Sequence, residues 1–354
     1  MTHESRLADL LITEEKTLRD ALLQIDRTGR GIVLVVGAGG ALENTITDGD
    51  LRRAILRGSS LEAPLAQLRR ERPPVVAKAG ASRRELAALM RARKLRQIPL
   101  VDSCGRPQEL VLAEDLLPPE QVAPYTAVVM AGGLGSRMLP LTAHTPKPLL
   151  PIAGKPLVER TIQQLKAAGI QQVYLTTHYK ADAFPQYFGA GENHGLAIRY
   201  IQEQSPLGTA GALSHVAPDD RPLLVVNGDI VTDLNYRSMM SFHRECVADL
   251  TVAIRHYEFR VPYGVVKLEE TSVSDIVEKP VQGVFVNAGI YIVAREICDL
   301  VPAGSAFDMP DLIRAAIAAS KKVVAFPISE YWIDVGEPQS YSQAQQDAAE
   351  HETA

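Results

Sequence analysis

The sequence has little cysteine: Cys104, Cys246 and Cys298 are three in number and widely spaced. With no Cys-x-x-Cys pair or His-rich cluster, neither a disulfide framework nor a zinc site is expected. Long apolar runs are also missing. The longest, such as Ile32–Val36 and Ala127–Ala131, are strand-sized and far short of the roughly 20 residues a spanning helix needs. The opening Met1-Thr-His-Glu-Ser-Arg6 is polar, unlike a secretory signal, so a cytoplasmic protein with no membrane partner is the expectation. Neither charge sign dominates: 37 Lys and Arg face 42 Asp and Glu, a net charge of −5. The 354 residues hold 46% hydrophobic and 22% charged residues, with 25 Gly and 23 Pro. These values exclude a disordered or collagen-like chain and suit two ordinary domains.

The charge is unevenly spread. Residues 1–124 carry 19 basic and 17 acidic side chains, and residues 125–354 carry 18 and 25. Arg69–Arg96 alone holds ten basic residues against two acidic ones, which suits a solvated face, a docking patch for the acidic half, or an anion site. Leu117-Pro-Pro-Glu-Gln-Val-Ala-Pro124 reads as a stiff linker, because proline fixes φ and cannot donate to a ladder. Domains are therefore expected at 1–117 and 125–354, joined by 118–124.

A weak repeat of about 50–60 residues runs through the first domain, in the order strand, helix, strand, strand, helix start. Leu7–Leu11, Leu18–Asp26, Ile32–Val36 and Thr45–Leu56 make the first copy; Val75-Val76, Arg83–Arg91, Ile98–Val101 and Leu110–Leu117 make the second. This region resembles a tandem CBS pair. The resemblance implies a regulatory nucleotide held at Thr47 and Asp50, with the carboxylate on ribose hydroxyls and the following helix N-terminus favouring phosphate. Leu112 stands where the second copy would need a hydroxyl, so at most one good site is expected. A ligand sensor and a purely structural, dimerising pair both fit.

After the linker, the apolar strand Ala127–Met130 feeds Ala131-Gly-Gly-Leu-Gly-Ser-Arg137, as a parallel α/β domain usually begins. Glycines let the backbone approach a ligand without a Cβ in the way, and successive N–H groups ahead of a helix make a phosphate cradle. The spacing fits neither the Walker A loop nor Gly-x-Gly-x-x-Gly. Together with Pro146-Lys-Pro148, Pro206-Leu-Gly-Thr-Ala-Gly211, Val225-Val-Asn-Gly-Asp229, Tyr263-Gly264, Glu278-Lys-Pro280, Asn287-Ala-Gly-Ile-Tyr291 and Trp332-Ile-Asp-Val-Gly336, this stretch resembles the sugar-1-phosphate nucleotidyltransferases over about residues 125–345.

The resemblance implies a Rossmann-like, mostly parallel sheet of the glycosyltransferase-A kind, preceded by a smaller α+β domain. It also implies an in-line attack by a sugar 1-phosphate on the α-phosphorus of a nucleoside triphosphate, so the work is alignment and charge neutralisation. No general base is needed, since a phosphate monoester has a second pKa of about 6. Ala131, Gly132, Gly133, Gly135 and Ser136 would wrap the triphosphate, Arg137 grip its β and γ groups and Lys147 bridge the α group. Asp229 and Asp334 would hold Mg²⁺, which needs few carboxylates. Lys279 would meet the sugar phosphate, Glu278 and Asn287 the hydroxyls, and Gly264 the C2 substituent.

Glu203, with Gly208 and Thr209, is the candidate base reader. An ionised Glu only accepts hydrogen bonds, which suits the two donors of guanine and disfavours uracil or thymine, so GTP is the expected donor. A CBS pair ahead of such a domain is similar to enzymes making GDP-glucosamine-type donors for nonulosonic acids such as legionaminic acid. Glucosamine 1-phosphate or N-acetylglucosamine 1-phosphate is therefore the favoured acceptor. Mannose 1-phosphate, a uridylyl or thymidylyl transfer, and an inactive sugar-nucleotide sensor are the alternatives. A homo-oligomer is expected; an oxidoreductase is opposed by the glycine spacing and a nucleic-acid binder by the acidic second half. Glu337 stands where relatives often have Thr, beside Asp334, and Tyr341–Glu350 reads as a helix.

Overall fold

The computed structural model describes residues 7–68, 73–93, 95–116, 125–217, 219 and 221–353. The expected linker prolines 118, 119 and 124, and Arg69, Arg70, Arg72 and Lys94 of the basic cluster, lie outside these residues. The chain divides into two compact units, Met1–Ala123 and Pro124–Ala354.

The first unit is built twice. Strand β1 (Leu11–Ile12), helix α1 (Leu18–Thr28), β2 (Ile32–Val36), β3 (Leu42–Thr47) and α2 (Asp48–Leu56) are followed by β4 (Ala77–Lys78), α3 (Arg83–Arg93), β5 (Gln97–Val101), β6 (Pro107–Leu112) and α4 (Ala113–Leu116). In each copy the first strand lies parallel to the second, and the second antiparallel to the third. The register even breaks at the same place, between Val35 and Val36 and between Leu100 and Val101. Equivalent residues are offset by 65 (Ile32 and Gln97, Leu42 and Pro107), a longer period than the sequence suggested. The opening strands also differ from expectation: Leu7–Leu10 forms a 3-10 turn whose Leu10 packs on Ile32 and Leu34, and Val76 is exposed rather than paired.

Helix starts explain much of this repeat. Thr17 accepts from the Asp20 N–H at 3.1 Å while the Thr17 N–H and hydroxyl donate to the Asp20 carboxylate, both at 2.9 Å. Thr47 and Asp50 form the same reciprocal box, and Ser82 with Glu85 a third; each satisfies backbone N–H groups that a helix start leaves orphaned. The fourth is degenerate: with Leu112 in place of the hydroxyl, its N–H reaches Asp115 Oδ2 at 3.4 Å.

The second unit holds β7 (Thr126–Met130), β8 (Pro151–Ile152), β9 (Lys155–Pro156), α5 (Leu157–Ala167), β10 (Gln172–Thr177), α6 (Ala183–Phe188), β11 (Ala197–Gln202) and α7 (Gly208–Gly211). It continues through β12 (Leu223–Asn227), β13 (Ile230–Thr232), α8 (Tyr236–Cys246), β14 (Leu250–Arg260), β15 (Val265–Glu269), β16 (Ser272–Val277) and β17 (Val281–Val293). Helices α9 (Arg295–Cys298) and α10 (Met309–Ala318), strands β18 (Val323–Ile328) and β19 (Trp332–Asp334), and helix α11 (Pro338–Thr353) complete it.

Seven strands form one sheet in the order β11-β10-β7-β12-β17-β14-β18, and β17 alone runs antiparallel to its neighbours. Both faces are covered, as a parallel sheet requires. Ala127, Val129, Leu224 and Val226 face a core shared with α5, α6 and α8, while Val128, Leu223 and Val225 face one shared with α9 and α10. The chain leaves β7 for β10 and β11 on one side, then returns to β12 on the other. That reversal is the kind of point where open α/β sheets bind ligands. The outer halves of β14 and β17, Ile254–Arg260 against Val281–Asn287, lead to the β15/β16 hairpin.

Removing a cap should be felt. Thr17→Ala or Thr47→Ala is expected to cost about 1 kcal/mol in urea unfolding. The Thr17 backbone and hydroxyl donors lower the Asp20 pKa, so the box contributes above the ordinary carboxylate pKa and its contribution is lost as pH falls through the lowered one. The stability gap between wild type and Asp20→Ala should be complete at neutral pH and narrow as acid titrates the Asp20 carboxylate below its ordinary range, read as urea unfolding across an acid pH series.

Candidate active site

Because β11, β10, β7 and β12 run parallel, their C-terminal ends share one edge of the sheet. Hydrogen bonding continues one residue past them: the N–H groups of Ala131, Glu203 and Gly228 donate to the Thr176, Thr177 and Met130 carbonyls at 3.1, 2.8 and 2.8 Å. Gly132, His178, Glu203 and Asp229 are thereby brought to one rim. A Cβ on Gly132 would lie 3.1 Å from Glu203 Oε1 and 3.5 Å from the His178 Cβ, so only glycine leaves this gap. Glu203 is buried, and its Oε2 accepts from the Leu207 N–H at 2.9 Å. The His178 Nδ1–H donates to the Glu203 carbonyl at 2.8 Å, which sets the ring's tautomer.

The glycine loop does not lead into an α-helix. It ends in a single 3-10 turn, Ser136–Met138, capped by Gly135 at φ 64°, so the expected helix N-terminus behind the cradle is absent and any cradle is made by the loop's own N–H groups. The reason is local: Pro140 follows two residues later, and the chain must turn back for Met138 to bury against Leu150, Ile152 and Val335. Gly133 is open, while a Cβ on Gly135 would meet the Thr142 Cγ2 at 2.9 Å and the Lys147 Cβ at 3.1 Å.

Lys147 opens another short turn between buried Pro146 and Pro148 and is itself only 7% exposed. Its Nζ donates to Asp229 Oδ2 at 2.6 Å. Asp229 lies just beyond β12, and its carbonyl accepts from the Val335 N–H at 2.9 Å, while β13 and β19 pair with Ile230 opposite Asp334. The two aspartates therefore lie beside each other, although 105 positions separate them in sequence. A Cβ on Gly336 would lie 3.3 Å from Asp334 Oδ1 and 3.7 Å from both terminal nitrogens of Arg137, which places the exposed Arg137 against this pair.

Asp334 keeps an open side toward solvent but is crowded by protein. This loss of hydration, then the Asp229 charge, raise its pKa, with Lys147 and Arg137 opposing and Glu337 adding to the rise. Two adjacent carboxylates that repel each other are a donor set for a hard divalent cation completed by water and phosphate oxygens. Glu337, the departure noted in the sequence, adds negative charge to this corner.

Gly208 and Thr209 stand slightly apart. Gly208 has φ 75° and a Cβ there would strike Asp308 Oδ1 and the Phe307 carbonyl, each at 2.7 Å. The Thr209 N–H donates to Asp308 at 2.9 Å and its hydroxyl accepts from the Met309 N–H at 2.8 Å, which caps α10. Gly264, Glu278 and Lys279 gather at the base of the β15/β16 hairpin, where a Cβ on Gly264 would lie 3.0 Å from Glu278 Oε2. Lys279 takes a left-handed φ of 45°. Asn287 lies further along β17, donating to the Tyr291 hydroxyl at 2.7 Å and accepting from the Gly289 N–H at 3.0 Å.

A family model for nucleotidyl transferases matches residues 126–351. The chain belongs to the nucleotidyl transferase family. A CBS domain model matches residues 68–118, the second of the two repeats described above. A mannose-1-phosphate guanylyltransferase of Mycobacterium tuberculosis is 35% identical over 224 residues, 61% of this chain and 62% of that protein. A mannose-1-phosphate guanyltransferase of Yarrowia lipolytica is 31% identical over 223 residues, 60% and 61% of the two chains. The chain thus spans about three fifths of the length of these curated relatives. Among solved structures, a Bacillus anthracis chain described as a glucose-1-phosphate thymidylyltransferase, in complex with a sucrose, aligns with a TM-score of 0.52 at 21% identity, covering 63% of this chain and 95% of that one. It supports the fold.

The residues singled out in the first unit are already engaged. Asp50 Oδ2 accepts from the Thr47 N–H at 3.0 Å and hydroxyl at 2.7 Å, and Oδ1 from Arg53 at 2.8 Å. Three residues that the sequence reading gave no role also line the rim: Thr142, His178 and Tyr179. Thr142 falls inside the recognised motif, whereas His178 and Tyr179 follow β10, where no motif marks them. Gly135→Ala is expected to cost about 1–2 kcal/mol from backbone strain alone, and more from the contact with Thr142, read as a lowered Tm.

Proposed function

We propose that this chain transfers a nucleoside monophosphate, GMP from GTP, to a hexose 1-phosphate. The phosphate oxygen of the sugar forms a bond to the α-phosphorus, the bond to the bridging oxygen breaks, and pyrophosphate leaves. The observation that carries this reading is Lys147, buried and held 2.6 Å from Asp229 beside a glycine loop at the point where the strand order reverses between β7 and β12.

Each residue then has work suited to its chemistry. The N–H groups of Ala131, Gly132, Gly133, Gly135 and Ser136 approach the triphosphate, and Arg137 grips its β and γ groups through its planar fork. Lys147 delivers a point charge to the α-phosphate as charge develops there. Asp229 and Asp334 hold a divalent cation, magnesium in our reading, which when bound supplies neutralisation of the polyanion. Lys279 meets the sugar phosphate, Glu278 and Asn287 its hydroxyls and the Gly264 backbone its C2 substituent. Gly208 and Thr209 shape the base pocket from the far side.

Glu203 supports GTP. A carboxylate accepts only, and Glu203 keeps Oε1 toward Gly132 while Oε2 takes the Leu207 N–H. Guanine offers N1–H and N2–H side by side. The relatives named above favour mannose 1-phosphate as the acceptor; the CBS repeats ahead of the domain favour glucosamine 1-phosphate as the second to try. In the first unit, a nucleotide at Thr47 and Asp50 would have to share the carboxylate with the helix cap.

Pyrophosphate release is the test, with four nucleoside triphosphates against mannose, glucosamine, N-acetylglucosamine and glucose 1-phosphates. GTP is expected to lead, with Glu203→Gln lowering its kcat/KM about tenfold to a hundredfold, the worth of a lost charged hydrogen bond. Lys147→Met should lower kcat by about a hundredfold or more. A tenfold preference of the wild type for UTP or CTP would overturn the base assignment, and no release with any pair would overturn the enzymatic reading.

A further inference from the structure

We infer that Thr142 is a positioning residue that fixes the spacing of Arg137 and Lys147, an inference that rests on the proposal that these two cations hold the triphosphate. The loop between them buries Met138 but exposes both of its leucines before the threonine, Leu139 at 58% and Leu141 at 44%, and buries Thr142 at 1%. Hydrophobicity alone would have turned the leucines inward. The hydroxyl explains the inversion: Thr142 Oγ1 donates to the Gly135 carbonyl at 2.8 Å, tying the loop back to its own start.

The other face of Thr142 ties the loop to the sheet. The Tyr179 hydroxyl lies 3.2 Å from the Thr142 carbonyl and 3.0 Å from that of Ala143, and Lys180 Nζ donates to the Ala143 carbonyl at 2.9 Å. Tyr179 and Lys180 directly follow His178, which contacts Glu203 and lies against Gly132. The methyl of Thr142 fills the space that a Cβ on Gly135 would need, next to the Lys147 Cβ. The Thr142 side chain thus holds the glycine loop beside the lysine, and its main-chain carbonyl is held by the residues that follow β10. A loop free to move at this point would lose the preorganisation that makes fixed charges effective.

Thr142→Val keeps the shape and removes the hydroxyl; Thr142→Ser keeps the hydroxyl and removes the methyl. In the full chain, amide hydrogen exchange over residues 131–147 is expected to be at least tenfold faster in Thr142→Val and within threefold of wild type in Thr142→Ser. Pyrophosphate release should show kcat at least tenfold lower in Thr142→Val with a raised KM for the triphosphate and an unchanged KM for the sugar 1-phosphate, and near-normal values in Thr142→Ser. Should Thr142→Val fail to fold, Thr142→Ala removes the same hydroxyl without added bulk and is read the same way. Wild-type exchange in the Thr142→Val or Thr142→Ala loop would overturn the inference whether or not the chain is active. An inactive wild type would instead overturn the proposed function, with the exchange measurement still deciding the role of Thr142.

Discussion

The contact between Lys147 Nζ and Asp229 Oδ2 ties together the parts of the second unit on which the candidate site depends. It is an ion pair in which the lysine is almost wholly removed from water, and such a charge is tolerated only with a partner in good geometry. Satisfying it fixes where the loop after β7 ends and sets that loop against the end of β12. The geometry of β12 is in turn set by its parallel pairing with β7 and its antiparallel pairing with β17. From there Asp229 reaches Asp334 through the β13/β19 pair, and Asp334 reaches Arg137 across Gly336. Glu203, the other buried charge at this rim, is satisfied differently, by a backbone N–H from its own following turn. The sheet edge therefore carries one buried cation and one buried anion, each with a fixed partner, and the proposed function would assign the first to phosphate chemistry and the second to base reading.

The first unit reaches order by a different route. Its two small sheets offer little area for a core, and the repeated device is the helix cap. Three reciprocal boxes and one degenerate box start its helices, and a buried pair, Asp48 with Arg52 at 2.8 Å, locks α2 from within. In a Thr-x-x-Asp sequence the same atoms serve a helix start and a sugar ligand, which makes the motif ambiguous. Thr17-x-x-Asp20 has that spacing and serves as a cap, so the spacing alone does not mark a nucleotide site.

What the sequence revealed and what it withheld follow the distance over which each feature acts. The glycines of the loop, Lys147 between its prolines and the apolar run of β7 are recognisable because their constraints are local: a Cβ clash, a fixed φ, a strand buried on both faces. The order of elements in the repeat was legible for the same reason. The 65-residue offset was obscured because the flanking apolar residues, Leu7–Leu10 and Val76, read as strands while the pairing falls on Leu11–Ile12 and Ala77–Lys78. The helix expected behind the glycine loop failed on a tertiary demand, the burial of Met138. Thr142, His178 and Tyr179 stayed hidden because their importance arises where β10 ends beside β7, an adjacency that no spacing in the chain expresses.

The same distinction resolves the apparent conflict between an acidic domain and the polyanionic substrate proposed for it. The half from residue 125 carries 18 basic and 25 acidic side chains, yet a surface charge is screened over about 8 Å at physiological salt. Acidic residues scattered over the exterior therefore contribute little at the rim. Lys147 acts from a position shielded from water, where its field is damped far less, and its negative partner Asp229 is paired with a second carboxylate in an arrangement suited to a cation. The charge a ligand at this rim would meet is the one fixed by the fold at the strand ends, and its sign there need not follow the net charge of the domain.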